Sequence, residues 1–309
     1  MLWEIRESLR VLYSKYDNWL RAVGKFLLAL LCFVTISSGM GQMDQLNDIL
    51  LLLILALMAS FLPLNAIVLM STLMILAHLY AVSIPALIVG GGVLLIVLLL
   101  YFGLAPGQAL ALILMPLAIE WQVPLLLPIA FGLLSTPLSG FGMAAGTVGY
   151  YSVRTILQVP VTGGGTDSIA GASSAEVLLF ELQTLLKALT QEGEMILTLI
   201  AVLAVLILVF AIRKMEIKYA WRMAVGTGTV IFLTVELLGA WILDISMDPV
   251  GLAVGTVISV LAGILLQLFF FDLDYRSTEK LQFEDDEYYY YVTAVPKRKR
   301  ERTVDEWTQ

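Results

Sequence analysis

The chain has 309 residues, 60% of them apolar and 14% charged, and a formal net charge of −7. About a quarter of a soluble domain's residues are charged, whereas here apolar runs near the roughly 20 residues needed to cross a bilayer recur. The runs are continuous, as in ILTLIAVLAVLILVFAI (196–212), which excludes the alternating ten-residue pattern of a transmembrane β-barrel. The lone cysteine, Cys32, excludes an intrachain disulfide framework, and the lone histidine, His78, excludes a multi-histidine metal centre. No cofactor is expected.

In chain order, residues 1–22 place Leu2, Ile5, Leu9, Leu12, Tyr16 and Trp19 at helical spacing, with Arg6, Arg10, Lys15 and Arg21 between them. That is an amphipathic helix for the headgroup region or for a cytoplasmic surface of the same protein. No A-x-A site closes the first apolar run, so it reads as a retained helix rather than a signal peptide. The expected spans are 23–38, 49–62, 64–82, 85–101, 105–120, 123–136, 138–153, 195–212, 223–243 and 250–271. The fold class is therefore all-α: a polytopic helical membrane protein of about ten transmembrane helices. Segments 49–62 and 123–136 are short and end beside Pro63 and Pro137. They read either as tilted crossings or as re-entrant half-helices.

Orientation follows from Lys and Arg. The groups before the first span, between spans eight and nine (Arg213, Lys214, Lys218, Arg222) and after the last span fall on one side. Only Arg154 and Lys187 fall on the other. Both termini are then cytoplasmic, and eight crossings would fit the charges as well as ten. The expected organisation is an interfacial helix (1–22), transmembrane helices one to seven (23–153), an extracytoplasmic loop (154–194), helices eight to ten (195–271) and a cytoplasmic tail (272–309), in the plasma membrane. Within the loop, VTGGGTDS (161–168) is a flexible linker by composition. SSAE (173–176) matches a capping box ahead of an amphipathic helix carrying Leu178, Leu182, Leu185 and Leu189 on one face.

The tail runs acidic, aromatic, then basic. YYYYVTAV is strand-like by propensity, and KRKRER is expected to meet anionic lipid or a protein, not nucleic acid. The span order, the EDDEYYYY-V-x-AVPK tail and LPIAFGLLSTPLS together resemble an uncharacterised multi-pass membrane family of clostridial-type Firmicutes. That resemblance implies a plasma-membrane protein and no particular reaction.

Residues 49–101 and 105–153 form two triplets of spans with opposite entry, the arrangement of a 3+3 inverted repeat. The residues singled out for a polar or ion site are Glu120, the only charged residue between Ile49 and Val153, with His78 and Glu236. Glu120 stands before Trp121 and Pro124, where a hydrated outer interface is the simpler reading. Each of the three falls in the last third of an outward-going helix, so a shared outer-half site is expected if they converge. Gly251, Gly255, Ser259 and Gly263, like Gly142 and Gly146, recur every four residues and mark close helix packing. No H-E-x-x-H, Walker A or G-x-S-x-G sequence occurs, so the chain is not expected to be an enzyme. The expected function is a permease-like protein or the membrane subunit of a transport assembly, with partner subunits or copies of itself. The alternative is a scaffold that anchors a partner through its tail.

Overall fold

The structure, a computed structural model, describes residues 2–159, 174–215, 219–245, 248–270, 279–284 and 289–294. Among them run eleven helices: α1 (Leu2–Met40), α2 (Ile49–Phe61), α3 (Leu64–Val82), α4 (Ile84–Leu104), α5 (Ala109–Glu120), α6 (Leu126–Leu134), α7 (Ser139–Gln158), α8 (Ser174–Thr190), α9 (Gly193–Arg213), α10 (Ala220–Leu243) and α11 (Pro249–Phe270). Six helical stretches are long and apolar enough to cross a membrane: Trp19–Met40, Leu64–Val82, Ile84–Leu104, Val177–Arg213, Ala220–Leu243 and Pro249–Gln267. The fourth joins α8 and α9 across the break at 191–192. Their outward faces carry exposed Leu73, Leu99, Val230, Trp241 and Leu265, a surface that water disfavours and lipid accepts. This is a multi-pass helical membrane protein.

The amphipathic start and the first span are one helix, divided where Tyr16 leaves helical geometry (φ −120°, ψ 24°). A first cluster packs α1, α2 and α3 through Ala29, Phe33, Leu52, Ala56 and Ile67. A second body, of α5, α6, α7, α9 and α10, is held by Met115, Met143, Val202, Leu206, Ile129 and Phe232. Helix α8 lies over the bundle: Leu185 is buried, with Leu182 and Leu189 beside it, against Leu79, Ala86, Val153 and Ile156 of α3, α4 and α7. Ser173 of the expected capping box lies outside the described residues.

The two triplets do not pack alike. Helix α5 lies along α7, whereas α2 lies along α1 rather than α4. In the tail, β1 (Glu279–Glu284) and β2 (Tyr289–Ala294) pair antiparallel, with Glu279 opposite Ala294 and Glu284 opposite Tyr289. The strand propensity of the tyrosine run is realised in β2. The KRKRER segment lies outside the described residues.

Candidate functional site: a recessed helix end and a polar-mouthed cavity

The site begins with a close parallel contact. Pro116 inside α5 has no N–H to offer the carbonyl of Leu112. Gly146 of α7 packs against that carbonyl, and a Cβ there would stand 2.7 Å from it. One turn earlier Gly142 packs against Gln108 O in the same way. Matching pairs that advance together, Gln108 with Gly142 and Leu112 with Gly146, mean that α5 and α7 run in the same direction. This register carries Glu120, the last residue of α5, up to Tyr150, whose hydroxyl donates to Glu120 Oε2 at 2.7 Å.

Helix α5 stops there through a Schellman-type end. Val123 N–H donates to Ala118 O (2.8 Å) and Gln122 N–H to Ile119 O (3.0 Å), with Gln122 in the left-handed region at φ 58°. The last carbonyls are thus satisfied by the chain itself, which lets a helix end away from water. The Gln122 turn seats against Gly251 and Gly255 of α11, where an added Cβ would collide with Gln122. Gly255 lies six residues into α11, so this turn is recessed about 9 Å from that helix's start at 1.5 Å per residue. Below it, α6 has nine residues and spans about 14 Å. It ends where Arg213, at the end of α9, donates to Leu133 O. Neither α5 nor α6 covers a hydrocarbon core of about 30 Å. Helix α7, by contrast, continues eight residues past Tyr150 to Gln158.

The projecting end of α7 carries a ladder of polar contacts. Tyr151 OH meets Thr198 Oγ1 of α9 at 2.9 Å. Arg154 Nη1 donates to Glu194 Oε2 at 3.0 Å, an ion pair, and Thr155 Oγ1 donates to Glu192 Oε2 at 2.8 Å. Helices α9 and α10 are antiparallel neighbours, with Gly228 against Val205 and Val209, and Gly239 against Leu197. That register brings Glu236 to the level of Thr198, within electrostatic range of Glu194 and Tyr151. Glu236 is 6% exposed and receives no hydrogen bond from the described residues.

A cavity of about 370 Å³ lies beside the ladder, between α1, α3, α4, α5 and α7. Leu94, Leu98, Ile113, Pro116 and Leu117 contribute to its apolar body; Glu120, Tyr150, Arg154 and Gln158 also line it. Arg154 and Glu120 are both exposed, so the polar end reaches the molecular surface.

Comparison with protein-family models, with curated proteins and with solved structures found no match.

Of the three residues singled out from sequence, Glu120 touches α7 directly and Glu236 approaches it across α9. Glu120 meets Tyr150, and Glu236 lies near Tyr151. His78 is not part of this ladder. It is fully buried in α3, and neither ring nitrogen has a hydrogen-bond partner among the described residues. Seven residues separate it from Ser71, which does line the cavity, so it shares that helix face about 10 Å further along. Sequence reasoning missed Tyr150, Tyr151, Arg154 and Glu194. One signal was present: two tyrosines and an arginine close an otherwise uncharged span, and an amphipathic polar end is where Tyr and Arg find partners. Which partners they find depends on α9, forty residues away in sequence.

Proposed function

We propose that the chain is a permease-like plasma-membrane protein, or the membrane subunit of a transport assembly, and that its substrate enters the cavity beside α7. The observation that carries this reading is the 370 Å³ cavity, apolar in its body and charged at its mouth, whose wall includes a helix that ends part-way through the bundle. Interrupted helices at membrane depth are tolerated where they line a cavity or are buried in protein, and transporters use them to build substrate sites. Glu236 is the group we assign to ion coupling: a buried carboxyl without a hydrogen-bonding partner among the described residues sits one helix away from the mouth. The chain has no nucleotide-binding motif, so its energy source is an ion gradient or a separate subunit. In the topology that goes with this reading, α1 to α7 and α9 to α11 form the ten membrane segments, α5 and α6 are a recessed pair, and both termini are cytoplasmic.

Gly149 offers a direct test. It lines the cavity, and a Cβ there would meet only Leu94 Cδ2, at an ordinary 3.8 Å. Gly149→Ala therefore fits, while Gly149→Leu fills the space. A strain lacking the chain is complemented with each variant and with a chain ending at residue 283, expression being matched by immunoblot. Cellular metabolite contents and sensitivity to toxic compounds are then compared. Gly149→Leu is expected to reproduce the deletion profile, with Gly149→Ala and the truncated chain resembling wild type. If the truncated chain alone reproduces the deletion, the protein is a scaffold acting through its tail and the transport reading falls.

A further inference from the structure

We infer that the cavity takes a lipophilic monocation: an ammonium group carried on an apolar body, with the charge held at Glu120 and Tyr150 and the body lying among α1, α3 and α4. This rests on the cavity being the binding site and adds the class of ligand. The walls argue for the apolar body. The hydroxyls among them are already committed, Thr35 Oγ1 to Leu31 O at 2.8 Å and Thr72 Oγ1 to Val68 O at 2.9 Å. Cys32 Sγ and Ser71 Oγ meet each other at 3.3 Å. What remains facing the space is mostly carbon, and a volume of about 370 Å³ is near the lower end for small-molecule sites, about 300–1,000 Å³.

The mouth argues for the positive charge. Arg154 is the guanidinium lining the cavity, and it is engaged by Glu194 at 3.0 Å. Glu194 already neutralises that charge, so an anionic headgroup would have to compete with a carboxylate seated 3.0 Å away. Glu120 accepts one hydrogen bond, from Tyr150, and an ionised carboxylate has about four acceptor positions. Glu192 and Glu194 stand at the same end of α7, engaged by Thr155 and Arg154, which leaves Glu120 as the carboxylate lining the cavity. Tyr150 lines the same wall, and an aromatic ring beside a carboxylate is a recognised setting for an ammonium ion. The ligand is either a free amphiphilic amine or the amine headgroup of a lipid. The chemistry is the same for both.

Binding to the full chain in lipid nanodiscs distinguishes the alternatives. Decylamine, decanol and decanoate each have ten carbons in an unbranched chain and differ in head charge. Each is titrated at neutral pH, with empty nanodiscs and the Gly149→Leu protein as the partitioning background. Decylamine is expected to show saturable binding at one site per chain, about tenfold tighter than decanol or decanoate. Glu120→Gln is expected to erase that preference, while Gly92→Ala in α4, outside the cavity lining and with open space around an added Cβ, keeps it. Preferred binding of decanoate would assign the mouth to Arg154 and overturn the inference, as would an unchanged preference in Glu120→Gln or the absence of saturable binding. Lipid extraction then separates the sources. An aminophospholipid that co-purifies one-to-one, is displaced by decylamine and is absent from Gly149→Leu marks the lipid; its absence marks a free amine. If the ammonium preference fails while Gly149→Leu still reproduces the deletion profile, the ligand class is wrong and the transport reading stands. If binding holds while only the tail truncation has a phenotype, the reverse is true.

Discussion

Glu120, Glu236 and His78 are three titratable side chains in an apolar bundle, and their surroundings separate them. Glu120 is exposed at a cavity mouth with a tyrosine hydroxyl on one oxygen. Glu236 is buried near another carboxylate. His78 is fully enclosed with both nitrogens unpartnered among the described residues. A buried polar group without a partner costs about 1–3 kcal/mol. Replacing His78 with leucine, of similar size and without polar atoms, is therefore expected to stabilise the protein by about 1 kcal/mol. Thermal unfolding in detergent, followed by intrinsic fluorescence, measures this. A lower midpoint for His78→Leu would reveal a partner for the imidazole. In the sequence Glu120 stands at a helix boundary beside Trp121, where exposure is the simpler reading, whereas the surroundings of Glu236 and His78 cannot be read there.

At the scale of the element, small residues decide how close two backbones come. The Gly251, Gly255, Ser259, Gly263 ridge meets two kinds of neighbour. Its first half receives the Gln122 turn, and Gly263 meets Ile129 of α6 and Val225 of α10. Ser259 is fully buried and turns its hydroxyl back to Gly255 O at 2.7 Å. A Cβ at Gly255 would overlap the Gln122 carbonyl, which is backbone and cannot rotate away. Gly255→Ala is expected to destabilise the protein by about 1–3 kcal/mol, the range for overpacking. Gly92 makes the control. It sits inside α4 with nothing within 4 Å of an added Cβ, so Gly92→Ala should gain about 0.5–1 kcal/mol of helix stability. Opposite shifts of the thermal midpoint in detergent would verify both. The four-residue spacing showed that close approach occurs. It could not show that a turn, rather than a helix, fills half of it.

For the whole molecule, the distribution of Lys and Arg leads us to expect both termini and the 213–222 connection on one side, with the 154–194 loop on the other. Single cysteines at Ser168 and Thr308, in a chain with Cys32→Ala, test this in intact cells with an impermeant thiol reagent. Labelling of the residue-168 variant alone is expected, with the residue-308 variant labelled after permeabilisation. The reverse order would invert the topology. The sequence by itself pointed to the solvent of this chain, because recurring continuous apolar runs near membrane-crossing length read as transmembrane helices. It also marked most of the helices and the glycines that let them approach, since these depend on local periodicity. Tertiary structure decided the rest. The parallel register of α5 and α7, the recessed turn at Gln122, the pairing of Arg154 with Glu194 and the cavity they frame arise from contacts between segments 30 to more than 130 residues apart. In lipid the outward faces of such helices are nearly interchangeable, so hydropathy alone does not select neighbours. Close backbone approach and a few polar pairs make that selection.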